Sequence, residues 1–507
     1  MRKNILDYLE FNANLYPEKI IYTDECESIT YSAFVKRCKE FATGLPREVY
    51  KNTVGIMLKR SLSQTIAMIG CIYAGAIYTV LDDLAPIERS KKILEVLDSK
   101  YLIYDDTVKN KINTLDISNK EINKIEYNET FKEIDEEYLK KVRKNQVSTD
   151  PMYILFTSGS TGTPKGAVLS HLNVISYLSW FKEEFDIDEK TIFANQTPLY
   201  FSMSISDVLG TLFSGSTLHI IPKVYFSFPI KLIEFMNSRE VNTIYWVPSA
   251  YQIVSSIDLF KYAIPTYLTK CLFAGEVMQI KYLNYWRSYL KNALFANLFG
   301  PTETVDICTY YKVDREFNND ESLPIGYPCN NTQVFLLNDK LEEASVNEDG
   351  ELYVRGSTVG LGYYNNPLKT KEAFVLNPLN KAYPEYVYKT GDICKINEKG
   401  ELIYISRADF QFKHLGYRIE TGEIEAAIIN NSNVNACACI YDEKIDEIIC
   451  LYEGREKQDA LLEIVRNKLP YYMIPKKIIK LKQMVYNQNG KIDRKWLKAN
   501  YNTFEGR

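Results

Sequence analysis

A repeated alternation of strand-like and helix-like segments limits what this chain can fold into more than any other feature. Val54 to Leu58 is a short apolar run that predicts a buried strand, and Ser61 to Tyr73 has the spacing of a helix. Tyr78 to Leu81 predicts the next strand, and the alternation resumes at Met152 and continues to about residue 330. This order of elements is typical of a layered α/β domain, and we predict that fold class.

The pattern changes towards the C-terminus. Residues 333–362 predict antiparallel strands, so a β-rich sub-domain should follow the α/β part. The last hundred residues predict a small α+β domain with helices near 422–430 and 457–468. We therefore expect a large N-terminal domain over residues 1–408 and a small C-terminal domain over residues 409–507.

Three local predictions accompany this outline. Ser32 is a candidate helix cap after a short strand. The stretch from Asp105 to Asp150 is rich in Lys, Asn and Glu, which predicts a surface excursion. A helix is predicted to begin near His171, after a second strand at residues 167–169.

Composition excludes several classes of function. The 507 residues carry 61 basic and 65 acidic side chains, so no overall field attracts nucleic acid or an anionic membrane. The ten Cys contain no C-x-x-C pair and there are only three His, which argues against a zinc ribbon, a thioredoxin-type site or a His-rich metal site. The N-terminus has no apolar core of a signal peptide, and the most apolar segment, residues 66–81, is too short for a membrane span. With scattered thiols typical of a reducing compartment, we expect a cytoplasmic protein without a membrane segment.

The strongest local motif is a loop between two predicted strands. Residues 157–165 hold two Gly, two Ser, three Thr, one Pro and Lys165. Glycine lets the backbone approach an anion closely, and hydroxyl and amide groups donate to phosphate oxygens. It is not a Walker A loop, because Gly166 rather than Ser or Thr follows Lys165. The sequence predicts a phosphate-binding loop, the alternative being a mobile surface hairpin.

This loop resembles the phosphate-binding motif of the AMP-forming acyl-adenylating superfamily. Total length and spacing are most similar to the D-alanine–carrier protein ligases and to stand-alone adenylation domains of non-ribosomal peptide synthetases. Further family motifs occur in the family's order along nearly the whole chain, at residues 74–82, 297–304, 388–392, 407–420 and 489–493.

The resemblance implies a two-step reaction. A small carboxylic acid attacks the α-phosphate of ATP with Mg²⁺, giving acyl-AMP and pyrophosphate, and a thiol then displaces AMP to form a thioester. Such chemistry depends on positioning and charge neutralisation and needs no protein nucleophile. Loss of Lys491, Glu303 or Asp392 would instead indicate a non-catalytic relative that only binds nucleotide or a partner. All three are present in this sequence.

The resemblance also implies roles for individual residues. Lys491 would be the catalytic cation, Glu303 would hold Mg²⁺, and Thr302 and Arg407 would contact phosphate or ribose. Asp409 would be the hinge of a domain rotation, or alternatively a capping Asp in a loop, and Gly416 would lie near the thiol tunnel. The residues expected to bind ATP are Thr157, Ser158, Gly159, Ser160, Thr161, Gly162, Lys165, Gly275, Asn297, Phe299, Gly300, Asp392 and Arg407.

The acyl pocket departs from the family pattern. Members that activate α-amino acids carry an Asp for the α-ammonium, and Ser202 stands at that position here. The pocket lining implied by the resemblance is Phe201, Ser202, Met203, Ser206, Tyr245, Leu272, Ala274, Leu298, Asp306 and Ile307. An ordinary α-amino acid is therefore disfavoured, since a buried ammonium without a counter-charge costs roughly 3–5 kcal/mol.

Two kinds of acid fit this pocket. One has no amine at Cα, as in an aryl or hydroxy acid, and the other carries an amine at the β position or beyond that pairs with Asp306. We favour the second because an unpaired buried Asp is also costly. The alternative is that Asp306 points away and bonds to backbone.

The thiol acceptor is expected to be the phosphopantetheine arm of a separate carrier protein, with coenzyme A as the alternative. Residues 466–498 hold ten basic side chains against one acidic, a local charge of +9. Carrier proteins are usually acidic, so this stretch would steer docking, unless it is only a solvated Lys-rich face.

Overall fold

A computed structural model describes residues 3–117, 121–159, 162–319, 321–408, 411–429, 433–486 and 492–504. Its strands are β1 Ile20–Thr23, β2 Ser28–Thr30, β3 Thr53–Met57, β4 Ile77–Val80, β5 Tyr101–Tyr104, β6 Asn123–Glu126, β7 Pro151–Thr157, β8 Lys165–Ser170, β9 Ile192–Asn195, β10 Thr217–Ile220, β11 Thr243–Trp246, β12 Lys270–Phe273, β13 Leu294–Phe299, β14 Thr309–Lys312, β15 Tyr327–Pro328, β16 Thr332–Leu337, β17 Gly350–Gly356, β18 Phe374–Leu376, β19 Tyr386–Ile396, β20 Leu402–Arg407, β21 Gln411–His414, β22 Tyr417–Glu420, β23 Val434–Asp442, β24 Glu447–Gly454 and β25 Lys477–Leu481.

The helices lie between these strands and cover their faces. They are α1 Leu6–Leu15, α2 Tyr31–Gly44, α3 Leu62–Tyr73, α4 Ile87–Leu97, α5 Lys109–Asn113, α6 Glu136–Asn145, α7 His171–Glu184, α8 Gly210–Ser214, α9 Pro229–Ser238, α10 Pro248–Ser256, α11 Ile280–Tyr289, α12 Pro367–Ala373, α13 Thr421–Ile429, α14 Gln458–Lys468 and α15 Arg494–Asn500. None of the described helices is long and apolar enough to cross a bilayer.

Two large sheets form the first two-thirds of the molecule. A nine-stranded sheet has the order β15-β14-β13-β12-β11-β9-β10-β1-β2, and a six-stranded sheet has the order β6-β5-β3-β4-β7-β8. Most neighbours in both sheets run parallel, and antiparallel pairs occur at their ends. Parallel strands need crossover connections, which the intervening helices supply. The predicted layered α/β architecture is confirmed.

The predicted change of pattern is also present. Strands β16, β17, β19, β18 and β20 form an antiparallel sheet, as expected for the β-rich sub-domain. The C-terminal part consists of the β21–β22 hairpin and of the sheet β23-β24-β25, with α13 and α14 packed on it. The expected boundary at Asp409 lies outside the described residues, so the division into 1–408 and 409–507 stays a prediction.

Two local predictions were wrong. Thr30, not Ser32, caps α2, because its side chain accepts a hydrogen bond from the backbone N–H of Ala33. The stretch 105–150 is not a surface excursion: β6 extends the six-stranded sheet, and Tyr127 and Leu139 are buried in the main core. Its charged residues lie on the exposed sides of short elements whose apolar sides are covered, and composition alone does not reveal this arrangement.

Candidate active site

The predicted phosphate loop joins β7 to β8 as an antiparallel connection. Helix α7 follows at His171, and its N-terminus has a capping box made by Ser170 and Asn173. Thr157 lies at the end of β7 with a buried hydroxyl that has no hydrogen-bond partner among the described residues. Gly162 has a φ of +78°, a conformation that favours glycine. Ser160 and Thr161 lie outside the described residues.

The β21–β22 hairpin of the C-terminal part lies against this loop. Lys165 Nζ is 2.7 Å from Glu420 Oε1. The Ser158 hydroxyl donates to the Arg418 carbonyl oxygen at 2.9 Å and accepts from the backbone N–H of Glu420 at 2.9 Å. Groups expected to bind ATP phosphates thus contact side chains and backbone of the C-terminal part.

A buried ion pair adds to this contact nearby. Arg89 of α4 and Glu423 of α13 form a salt bridge in which both side chains are at most 8% exposed. Lys92 of α4 donates to the Gly162 carbonyl oxygen at 3.1 Å. Helix α4 therefore holds both the phosphate loop and α13.

Glu303 is a buried carboxylate that its neighbours hold ionised. It lies in a 3₁₀ turn after Gly300-Pro301 and is fully buried. Burial alone would raise its pKa, but the charges of Arg418 and Lys165 and the hydroxyl of Tyr363 lower the pKa of Glu303 to about 2. Arg418 Nη1 lies 3.0 Å from Glu303 Oε2, and Tyr363 donates to Oε1 at 2.6 Å. Thr302 lies in the same turn.

The residues predicted for the nucleoside lie at the C-terminal end of β13 and on β19 and β20. Arg407 Nη1 donates to Asp392 Oδ1 at 2.7 Å. The Asn297 amide donates to the Pro324 carbonyl oxygen at 2.8 Å, which fixes the direction of that side chain. The ring of Phe299 lies 5.8 Å from the ring of Tyr404.

A lysine that the sequence analysis did not single out also reaches this region. Lys413 of β21 has its Nζ 5.2 Å from the centre of the Phe299 ring. Burial lowers the pKa of Lys413, while the Asp392 carboxylate opposes that shift. The Asp306 carboxylate of the predicted pocket also raises the pKa of Lys413, but by less than Asp392 does.

The acyl pocket is organised around Asp306. Three hydroxyl groups donate to its Oδ2 atom: Ser206 at 2.8 Å, Tyr245 at 2.9 Å and Tyr177 at 3.2 Å. Burial raises the pKa of Asp306, and these hydroxyls together with that of Ser202 oppose the rise. The carboxylate therefore faces the predicted pocket residues, and its hydrogen bonds within the described part of the chain come from side-chain hydroxyls.

The backbone on both sides of the pocket is irregular. Val305, next to Asp306, has a φ of +73°, which is strained for a β-branched residue. Ser206 lies in a π-helical segment, Ile205–Leu209, between residue 204 and α8. Strained backbone residues and π-helical turns are both enriched at functional sites, where the surrounding structure holds them in place.

The remaining predicted pocket residues divide between the pocket and its rim. Met203 lies close to Gly275: a Cβ added to that glycine would be 3.3 Å from Met203 Sδ. Phe201 faces the C-terminal part, with its ring 4.6 Å from that of Tyr417. The other members are buried on or beside β12 and β13: Leu272, Ala274, Leu298 and Ile307.

Gly416, expected near a thiol tunnel, lies at the turn between β21 and β22. Its backbone N–H donates to Glu276 Oε1 at 2.6 Å. A Cβ added to Gly416 would lie 2.8 Å from the Val247 side chain. A Cβ added to Gly275 would lie 3.9 Å from the Cα of Gly416. Both glycines have positive φ, so two backbones meet where no side chain fits.

Some predictions could not be placed, and some contacts were not foreseen. Lys491 and Asp409 lie outside the described residues. Tyr177 and Tyr363 are not predictable from the sequence, since a lone Tyr in a buried helix or loop carries no recognisable pattern. Arg418 and Glu420 belong to a motif that was recognised, but their contacts depend on where the hairpin docks.

The chain matches the model of the AMP-binding enzyme family over residues 9–364. It is 31% identical over 495 residues to gramicidin S synthase 2 of Brevibacillus brevis, covering 95% of this chain and 11% of that protein. It is 30% identical over 499 residues to the zwittermicin A synthase ZmaJ of Bacillus cereus, covering 95% of this chain and 92% of that protein. The chain spans less than half the length of most of the synthases it matches.

Solved structures share the fold at low sequence identity. The Vibrio cholerae adenylation domain AlmE, in complex with glycyl-adenosine-5'-phosphate, superposes with a TM-score of 0.84 at 20% identity over 99% of this chain and 98% of that one. NpsA-ThdA, an artificially fused adenylation–PCP di-domain from Klebsiella oxytoca, gives 0.78 at 19% identity over 99% and 96%. The o-succinylbenzoate CoA synthetase MenE of Bacillus subtilis gives 0.83 at 20% identity over 98% of each chain.

The family match covers more than half of the chain, and the folds agree over nearly all of it. The chain therefore belongs to the AMP-binding enzyme family.

Proposed function

We propose that this enzyme adenylates a small carboxylic acid that carries an amine at the β position or beyond. The observation that carries this proposal is the environment of Asp306, a buried carboxylate that accepts hydrogen bonds from three hydroxyl groups on one oxygen. Hydroxyl donors compensate an ionised carboxylate only in part, and an ammonium group of the substrate would supply the missing opposite charge.

The position of Ser202 argues against α-amino acids. Its hydroxyl opposes the rise that burial causes in the pKa of Asp306, so Ser202 lies beside that carboxylate and supplies no charge of its own. The Asp that would bind an α-ammonium in relatives that activate α-amino acids is therefore missing, and Asp306 is the carboxylate left to pair with a substrate amine. An amine one or more carbons beyond Cα would pair with it in the proposed binding mode.

Glu303 and the phosphate loop suit Mg²⁺ and ATP. A fully buried carboxylate that is held ionised by cationic neighbours fits the single protein ligand that Mg²⁺ often takes beside phosphate oxygens. Bound Mg²⁺ would neutralise charge on the phosphates during the first step. Lys165 and the hydroxyl groups of Thr157 and Ser158 would orient the phosphates, and Lys491 would neutralise charge that develops at the attacked α-phosphate.

The docked hairpin suits the second step. Arg418 and Glu420 pair with Glu303 and Lys165, the groups expected to hold Mg²⁺ and phosphate in the first step. Pyrophosphate would therefore have to leave before the hairpin takes this position, and Gly416 would then lie beside Gly275, where a thiol would enter. The two steps would use two positions of the C-terminal part.

The proposed acceptor is the phosphopantetheine thiol of a separate carrier protein. The fused adenylation–PCP structure and the basic stretch 466–498 support this choice. Coenzyme A is the second candidate, because MenE, named as a CoA synthetase, has a closely similar fold.

An exchange assay tests the substrate class. Labelled pyrophosphate is exchanged into ATP in the presence of a panel of α-, β- and ω-amino acids, hydroxy acids and aryl acids. The β- or ω-amino acids should give the fastest exchange, and Ser202→Asp should shift the preference towards α-amino acids. Preferred exchange with glycine or D-alanine would contradict the proposal. Addition of a carrier protein or coenzyme A to preformed acyl-AMP then identifies the acceptor.

A further inference from the structure

Three buried cysteines lie together in the C-terminal part of the molecule. Cys437 and Cys439 are two residues apart on β23, so they share one face of the sheet, and Cys450 of β24 is the cross-strand partner of Cys439. The three Sγ atoms lie within 4.8 Å of one another, and the Sγ atoms of Cys437 and Cys450 are 3.3 Å apart. No other group of His, Cys, Asp or Glu side chains in the described chain has such spacing.

The proposed function does not use this cluster. Adenylation and thioester transfer need no protein thiol, and the cluster lies in a core formed by the sheet with α13 and α14. Its apolar neighbours include Ile424 and Ile428 of α13. Cys437 is 6% exposed, and the other two thiols are fully buried.

The number of ligands restricts what this cluster can hold. Structural zinc sites are almost always four-coordinate. Among the described residues, no fourth Cys, His or carboxylate ligand joins the three thiols. Thiolate ligands select soft ions, so an ion that is satisfied by three sulfur atoms matches this site better than zinc does.

The local charge restricts the ion further. Arg494, the charge that acts on Cys437, is already paired with Glu425, whose other oxygen accepts from the backbone N–H of Cys439. Three thiolates add three negative charges, and a net charge buried among apolar side chains is costly. Only a trivalent ion makes the three-thiolate complex neutral. We propose that Cys437, Cys439 and Cys450 form a binding site for a soft trivalent ion of the arsenic(III) or antimony(III) class.

The binding step balances without a redox partner. With arsenous acid, As(OH)₃ and three thiols give As(SR)₃ and three water molecules. Three As–S bonds form, three As–O bonds break, and each thiol proton leaves on a hydroxyl group. The product would join β23 to β24.

Arsenite titration of the reduced full-length protein tests this proposal. Native mass spectrometry should find one arsenic atom per chain with loss of three hydrogens, and X-ray absorption should find three sulfur neighbours around it. Cys439→Ala and Cys450→Ala should each weaken binding by more than the roughly 10–100-fold expected from loss of a supporting group. Cys71→Ala and Cys271→Ala, which remove buried thiols elsewhere, should leave it unchanged.

The absorption measurement uses the wild-type protein, so it decides the question even if a core variant is unstable. Oxygen neighbours around arsenic, two sulfur neighbours only, or equal weakening by the two control variants would overturn the proposal. Tighter binding of zinc than of arsenite would overturn it as well. None of these results depends on adenylation activity, so the proposed function can fail or hold separately.

Discussion

The phosphate side of the predicted active site and the predicted acyl pocket differ in how their buried charges are compensated. On the phosphate side, buried charges pair with each other: Arg418 with Glu303 and Lys165 with Glu420. In the pocket, Asp306 is surrounded by hydroxyl groups and none of the hydrogen bonds to it from the described residues comes from a cation. The charges on the phosphate side thus pair within the protein, whereas under the proposed function the charge of Asp306 would pair with the substrate.

The largest expected effect lies in the pocket. Asp306→Asn removes one partner of a buried pair between enzyme and substrate, a loss of about 3–5 kcal/mol or at least roughly 10²-fold in kcat/KM for an amine-bearing acid. Pyrophosphate exchange with the acid and with its analogue lacking the amine measures this effect. The analogue should lose little or nothing. Equal losses for both would mean that Asp306 has only a structural role.

On the phosphate side, Lys491→Ala should slow the first step. Loss of one group that stabilises charge in the transition state costs about 2.7–4 kcal/mol, or 10²–10³-fold in rate. Exchange should fall by that factor, while transfer from preformed acyl-AMP to a thiol should be nearly unchanged. Lys457→Ala, which removes an exposed lysine outside the basic stretch, is the control, and equal loss in both steps would contradict the assigned role.

Weakening the contact between the β21–β22 hairpin and the phosphate loop should have a smaller effect. The step that it slows should be thioester formation rather than adenylation. Glu420→Gln removes the charge that faces Lys165, and a hydrogen bond to a charged group contributes about 1.5–3 kcal/mol, so thioester formation should slow by roughly 10-fold or more. Pyrophosphate exchange should not decrease. Glu234→Gln, which breaks the exposed pair with Lys231 outside the basic stretch, is the control. A decrease in exchange as large as that in transfer would argue against two positions of the C-terminal part.

A last prediction concerns stability rather than activity, as a pH dependence that arises at Asp207, next to Ser206 of the predicted pocket. Burial raises the pKa of Asp207 to about 7, although the Asn195 amide donates to it. Between its unfolded and folded pKa values the folded state binds a proton that the unfolded state lacks, so stability falls as pH rises from about 4 to about 7. Asp207→Asn should remove part of this decline in thermal unfolding measured at several pH values. Parallel curves for both proteins would show that Asp207 does not contribute.

The predictability of the two regions differs for a physical reason. The residues of the phosphate loop and the nucleotide motifs were recognised because ATP imposes the same groups at the same spacing, and backbone conformation at positions such as Gly162 demands particular residues. The pocket was predicted in outline, since the replacement at Ser202 and the charge of Asp306 are visible in the sequence. The donor Tyr177 was not predicted, because it lies 129 residues from Asp306 along the chain.

The sequence by itself determined the α/β class, the order of the sub-domains and the family, because periodicity and turn chemistry act over short distances. It also determined which charges are available to the chemistry. Only the tertiary structure decided which of these side chains meet. Arg418 reaches Glu303, three hydroxyl groups converge on Asp306, and cysteines of two adjacent strands form one cluster. Such contacts depend on sheet register and domain docking, which bring together residues that no local pattern relates.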